Sequence, residues 1–226
     1  MAVEVGNWGG GTVWRTTAGE FSSNTYFFEA EGSNGGAVVV DPGLDAAAIE
    51  ADILTCGLKP TSVFCTHGHF DHTGSAAYFQ RKYGTPVHIH LRDKKALATS
   101  NFLLMLLKIP RKVEQPDVTW VQDGFARAFG ASELRYLPAP GHTPGSCIIE
   151  FGGAWFTGDT IYARGVGLSD LPGEDFELLK SSILSLWDRL AHVALVCPGH
   201  GEVATGSNIR IGNTSLLRFL GLGNHL

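Results

Sequence analysis

Thr66-His67-Gly68-His69-Phe70-Asp71-His72-Thr73-Gly74 places four potential metal ligands within six residues. An apolar, strand-like run, Ser62–Cys65, leads into it, and a helical window from Thr73 to Tyr83, closed by Gly84 and Pro86, follows. A loop that joins a strand end to a helix is where α/β architectures carry their chemistry. His67 and His69 alternate, so on an extended backbone they face the same side, whereas Asp71 and His72 lie where the chain turns into the helix. One loop can therefore serve two adjacent metal ions. Imidazole and carboxylate suit Zn²⁺, but also iron and manganese, so the spacing does not name the metal. As mere turn residues, four such side chains side by side would have no structural purpose.

Working outward, four further ligand-type residues sit in the same kind of context, a β run followed by a Gly/Pro turn. They are Asp41 in Val39-Val40-Asp41-Pro42-Gly43, His142 in Pro140-Gly141-His142-Thr143-Pro144-Gly145, Asp159 in Phe156-Thr157-Gly158-Asp159-Thr160, and His200 in Cys197-Pro198-Gly199-His200-Gly201. A rigid turn aims one side chain at a common point. His88 and His90 alternate in the run Val87–His90 and read as strand residues, one of them at most a support for a ligand; His192 and His225 read as incidental.

Short β runs at Val13–Thr17, Thr25–Glu29, Ala37–Val40, Ser62–Cys65, Val87–His90, Leu134–Pro138, Cys147–Phe151, Ala154–Thr157 and Val193–Cys197 are rich in β-branched and aromatic residues. Between them lie helical windows at Ala46–Cys56 (capped by Asp45), Thr73–Tyr83, Asn101–Lys108 and Phe176–Leu190. Interleaving of this kind predicts an α/β or α+β layering in one domain over 1–226. Periodicity alone does not choose between a parallel sheet and two packed sheets. The 226 residues, with 44% hydrophobic and 17% charged, suffice for a sizeable core. A net charge of -5 without a basic stripe argues against a nucleic-acid partner. The longest apolar run, Phe102–Leu107, is too short to span a bilayer, and Met1–Gly11 has no signal-peptide pattern. Cys56, Cys65, Cys147 and Cys197 form no C-x-x-C pair and read as buried free thiols, which suits a cytoplasmic location.

Asp41, the His67-x-His69-x-Asp71-His72 loop, His142, Asp159 and His200 together, in this order and in these turns, resemble the motif set of the metallo-β-lactamase superfamily. The resemblance spans from about Asn24 to His200. It implies an αββα sandwich, two mixed sheets face to face with helices outside and the metals at one edge. It also implies ligand sets: His67, His69 and His142 for the first metal, Asp71, His72 and His200 for the second, Asp159 bridging, and Asp41 in support. Within the superfamily the chain is similar to the glyoxalase II group, through Gly165-Val166-Gly167-Leu168-Ser169-Asp170-Leu171-Pro172-Gly173 and the tail Thr205–Asn213. Leu168 departs from a usually basic position. The chain stops about where the group's glutathione-binding helical domain would begin, so the short members of the group are the nearer match.

The function expected from this resemblance is hydrolysis of a thioester or related ester carbonyl by a metal-bound hydroxide. Two divalent ions, Zn²⁺ first and iron or manganese otherwise, would lower the pKa of a water between them. Asp71 would orient that nucleophile and take its proton. Tyr162 and Arg164, just after Asp159, are candidate substrate contacts. The apolar stretch Asn101–Pro110 reads either as a lid, which would favour an apolar acyl group, or as a core or homodimer helix. Leu91-Arg92-Asp93-Lys94-Lys95 reads as a solvated helix face. Two rival activities share the motifs. One is a persulfide dioxygenase with a single iron on residues matching His67, His142 and Asp159; the other is a lactonase or β-lactamase.

Overall fold

Alternation of apolar side chains decides the layering. In the computed structural model, which describes residues 1–8, 11–29, 34–168 and 172–222, two sheets pack face to face. The first has seven strands in strict chain order: β1 (Val3–Trp8), β2 (Gly11–Ala18), β3 (Ser23–Glu29), β4 (Gly36–Val40), β5 (Lys59–Phe64), β6 (Val87–His90) and β7 (Val118–Val121). Pairing is antiparallel from β1 to β4 and parallel from β4 to β7. The second sheet runs in reverse chain order, from β12 (Leu195–Pro198) through β11 (Ala154–Gly158), β10 (Cys147–Phe151) and β9 (Ser132–Pro138) to β8 (Ala126–Phe129). Its pairs are antiparallel except β11 with β12.

The inner faces meet in one core, with Tyr26, Phe28, Val38, Val40 and Phe64 from the first sheet against Tyr136, Ile149, Phe151 and Phe156 from the second. Phe28 stacks on Phe151 with centroids 4.4 Å apart. The outer face of the first sheet is covered by α1 (Ala46–Thr55) and α3 (Ala76–Tyr83), through Ile49, Ile53 and Phe79. The outer face of the second carries α6 (Phe176–Leu190), α7 (Gly206–Gly212) and α8 (Thr214–Leu220), through Leu179, Ile183, Ile209 and Leu216. This is the αββα sandwich. It resolves the choice that periodicity left open, because β4 and β6 are buried along their whole length while β9 alternates. Among the described residues no helix is long and apolar enough to cross a membrane.

The helix expected over Thr73–Tyr83 is two pieces, α2 (Phe70–Thr73) and α3, broken at Gly74-Ser75, where the Ser75 hydroxyl donates to the Gly43 carbonyl. Even a Cβ on Gly74 would collide with Leu44 Cδ2 and Phe70 O at 2.6 Å. A short α4 (Lys94–Ala98) precedes α5 (Ser100–Leu106), which starts one residue before the expected Asn101–Lys108 window and ends two residues short of it. All four cysteines are free; Cys56 is only half-buried, unlike the other three.

Candidate metal centre

Every ligand-type residue named from the sequence arrives at one edge of the sandwich, carried there by a strand end. Asp41 follows β4, the His67–His72 loop follows β5, His142 lies between β9 and β10, Asp159 follows β11 and His200 follows β12. Three groups have mutually close donor atoms, within 4.8 Å: His67, His69 and His142; His67, His72 and Asp159; and Asp71, His72 and His200. Asp159 faces both ends of this constellation. Its Oδ1 is 3.3 Å from His72 Nε2, and its Oδ2 is 3.6 Å from both His142 Nε2 and His200 Nε2. Asp71 Oδ2 lies 3.2 Å from His200 Nε2 and 3.5 Å from His72 Nε2.

Four of the five imidazoles are held from behind, and the holder selects which nitrogen faces inward. His142 Nδ1 donates to Gly167 O at 2.8 Å, and His200 Nδ1 to Phe21 O at 3.1 Å. His72 Nδ1 donates to Asp41 Oδ2 at 3.2 Å. Thr66 Oγ1 donates to the same carboxylate oxygen at 2.7 Å and accepts from His67 Nδ1 at 3.0 Å. Four Nε2 atoms therefore point into the centre, while His69 presents Nδ1, 3.0 Å from His142 Nε2. Asp41, at φ 52°, also accepts from Thr66 N at 2.7 Å, so its carboxylate contacts both His72 and the residue that holds His67.

These residues fit a bound cation. His67 Nε2, His72 Nε2 and Asp159 Oδ1 are buried and make no hydrogen bond, although interiors satisfy nearly all polar atoms. The space is kept by backbone: a Cβ on Gly199 would lie 2.3 Å from Asp159 Oδ1 and 2.5 Å from His72 Cε1. Charge is balanced by proximity. Burial drives His67 down and takes His69 to about 4, so both rings are neutral. For His72 and His142 burial also pulls downward, but carboxylates (Asp159 and Asp71 for the first, Glu174 and Asp159 for the second) outweigh it. His200 is likewise opposed by burial, yet hydrogen bonds to Asp159 and Asp71 hold it up to about 9. Asp71 and Asp159 go down against their burial, chiefly because of His72.

A metal needs these rings neutral, so its uptake must expel the protons of His72, His142 and His200. Their pKa values are raised, so proton competition is complete below the raised value and vanishes above it, at about 9 for His200. The expected result is release of about one to three protons per chain on zinc uptake at pH 7, with the His200 share lost above about pH 9. Calorimetry in buffers of different ionisation enthalpy measures this; zinc uptake at pH 7 without proton release would contradict it.

Over the centre lies a cavity of about 410 Å³, walled by Phe21, Phe70, Leu107 and Tyr162. Tyr162 is also 6.0 Å from the His200 ring. Arg164 lines an adjoining cavity of about 680 Å³ instead. His88 and His90 are not supports of the centre. His88 stacks on Phe64 and donates to Val63 O, and His90 pairs with Asp123. In the Gly165–Gly173 stretch, Gly167 holds His142, while Ser169, Asp170 and Leu171 lie outside the described residues.

One residue was misread from sequence. Asp93, placed on a solvated face, is fully buried. Its Oδ2 accepts from Gly68 N at 2.7 Å and Thr143 Oγ1 at 2.8 Å, and its Oδ1 from Gly145 N at 2.6 Å. It thereby ties the His67–His69 loop to the His142 loop. Glu174, 3.4 Å from His142 Nδ1, was also missed. Neither has a ligand-like spacing to betray it.

A family model described as the metallo-beta-lactamase superfamily matches residues 18–200. "Probable metallo-hydrolase YqgX" of Bacillus subtilis (strain 168) is 31% identical over 191 residues, covering 83% of this chain and 89% of that protein. "Hydroxyacylglutathione hydrolase" of Anaeromyxobacter dehalogenans (strain 2CP-C) is 36% identical over 181 residues, covering 80% of this chain and 62% of that longer protein. Among solved structures, the BLEG-1 B3 metallo-beta-lactamase superposes with a TM-score of 0.79 at 26% identity, covering 90% of this chain and 99% of its own. Sequence motifs, sandwich and ligand-bearing edge agree with these matches, and the chain belongs to the metallo-beta-lactamase superfamily.

Proposed function

We propose that the protein is a binuclear metal-dependent hydrolase that cleaves a thioester or a related ester carbonyl. The observation that carries this is the position of Asp159 between two donor groups, with buried nitrogens and an oxygen left unbonded around it. His67, His69 and His142 would hold one ion, Asp71, His72 and His200 the other, and Asp159 both. Zinc suits this nitrogen and oxygen set, as iron and manganese also do. When bound, the ions supply Lewis acidity and a lowered pKa for water at neutral pH.

The remaining roles belong to the chain. Asp71, held low in pKa and at the cavity wall, orients the nucleophile and accepts its proton. Burial, followed by the charge of Asp159, drives the Tyr162 hydroxyl far up, so it stays protonated and bonds Asp159. Phe21, Phe70 and Leu107 wall off water and offer an apolar seat for an acyl group. The preference for thioesters rests on the likeness to the hydroxyacylglutathione hydrolase and on the shared Gly165–Gly173 stretch.

Elemental analysis of protein purified without added metal, followed by a thioester screen with lactones as control, tests this reading. About two metal ions per chain and thioester turnover are expected. One iron per chain with oxygen uptake on persulfide would replace it with the dioxygenase reading, and turnover of lactones alone would replace it with lactonase.

A further inference from the structure

α5 leaves Phe102, Met105, Leu106 and Leu107 between 42% and 66% exposed, an unusual cluster for a helix beside a catalytic edge. Two of the four have a use. Leu107 walls the cavity over the centre, and Phe102 walls a second cavity of about 290 Å³. His69 lines both, so the second cavity opens onto the proposed metal site. Leu103 and Pro144 complete its apolar wall, and Arg92 and Lys95 stand at it. Among the described residues lining it there is no acid, although the chain carries a net charge of -5. The two cations differ. The Arg92 guanidinium is held by Asp123 at 2.6 Å, whereas Lys95 has no ion pair among the described residues. Its neighbour Lys94 lies instead over the Trp120 ring.

We infer that this second cavity is a substrate subsite, taking an apolar segment that ends in a carboxylate and pairing that carboxylate with Lys95. An apolar trough with one unpaired ammonium matches such a segment, since a single point charge balances a single carboxylate. The inference rests on the hydrolase reading for the word substrate, and the subsite itself stands on the cavity. It narrows the substrate class to acyl thioesters or esters with a second, remote carboxylate, on either the acyl or the leaving-group side.

Binding to the zinc-loaded protein tests it, measured by calorimetry with succinate, adipate and suberate against the matching monocarboxylates. A thiol arm compares 3-mercaptopropanoate with propanethiol. In one arm the charged ligand is expected to bind about fivefold tighter, the most that an exposed ion pair contributes. Lys95→Glu abolishes that preference, and Lys94→Glu, which makes the same charge change one residue away, keeps it. Equal affinity for the ligand with the remote carboxylate and for its control in both arms, or a preference that survives Lys95→Glu, overturns the subsite. A Lys95-dependent preference in a protein that hydrolyses no thioester or ester would leave the subsite and remove the proposed reaction.

Discussion

Asp71→Ala is expected to lower thioester turnover by about 10²–10⁴-fold, the range of a lost general base, and to reduce metal content from about two ions to about one. Both effects come from one carboxylate. Its Oδ2 stands within 3.5 Å of His72 and His200, the imidazoles it would share an ion with. It also faces the cavity in which the nucleophile must sit. Asp71→Asn separates the two roles. The amide keeps an oxygen for coordination but cannot accept a proton, so metal content recovers in part while the rate stays low. Kinetics and elemental analysis on the same preparations check this, and a full-rate Asp71→Ala protein would remove Asp71 from the mechanism.

Asp93→Ala is expected to destabilise the fold by about 2–5 kcal/mol, because it strands two buried backbone donors and removes one partner of the Thr143 hydroxyl. Gly68 N, Gly145 N and Thr143 Oγ1 all end on this carboxylate. The Thr143 hydroxyl keeps Ser146 Oγ at 2.7 Å, whereas the two backbone N–H groups have only this carboxylate among the described residues. A Cβ on Gly145 would come within 2.6 Å of Asp93 Oδ1, so the loops are already in backbone contact with their clamp. Losing the clamp frees His67 and His69 from His142, so zinc affinity falls alongside stability, by about 10–100-fold as for other supports of metal ligands. Asp93→Asn keeps one acceptor oxygen and sets an N–H against a donor, so its loss falls between wild type and alanine. Denaturant unfolding and chelator competition measure the two quantities. A wild-type midpoint and affinity in Asp93→Ala would show that the loops hold themselves.

These two aspartates also mark what a sequence exposes and what it hides. Asp71 was legible because three other ligand-type residues, His67, His69 and His72, lie one to four residues away and its Gly-bounded turn announces a site. Asp93 was not, because its partners are 25, 50 and 52 residues distant and its neighbours Arg92, Lys94 and Lys95 give it the look of a surface run. The same contrast runs through the fold. α6 was bounded correctly by its apolar face, and β10 by a short, mostly apolar run. β1 was missed because Gly6 interrupts it with a register shift against β2, and β8 because its residues are mostly exposed. β7 has four residues and becomes a strand through pairing with β6, which is tertiary information. Strand order was likewise invisible to periodicity; the resemblance supplied the sandwich. Arg164 and the role of Lys95 turned on which cavity each lines, a matter of surface shape.

The chain order of the two sheets divides the molecule at the turn Gln122–Phe125: β1–β7 precede it and β8–β12 follow. Asp41 and the His67–His72 loop belong to the amino-terminal half, and His142, Asp159 and His200 to the carboxy-terminal half. Neither half holds a complete ligand set, because His67 and His69 await His142, and Asp71 and His72 await His200. On a ribosome the group Asp71, His72 and His200 is complete only after β12 has emerged, so capture of the second proposed ion would be a late event. Cut within that turn, each fragment would lack part of every proposed donor set, and a bound ion would bridge the seam between them.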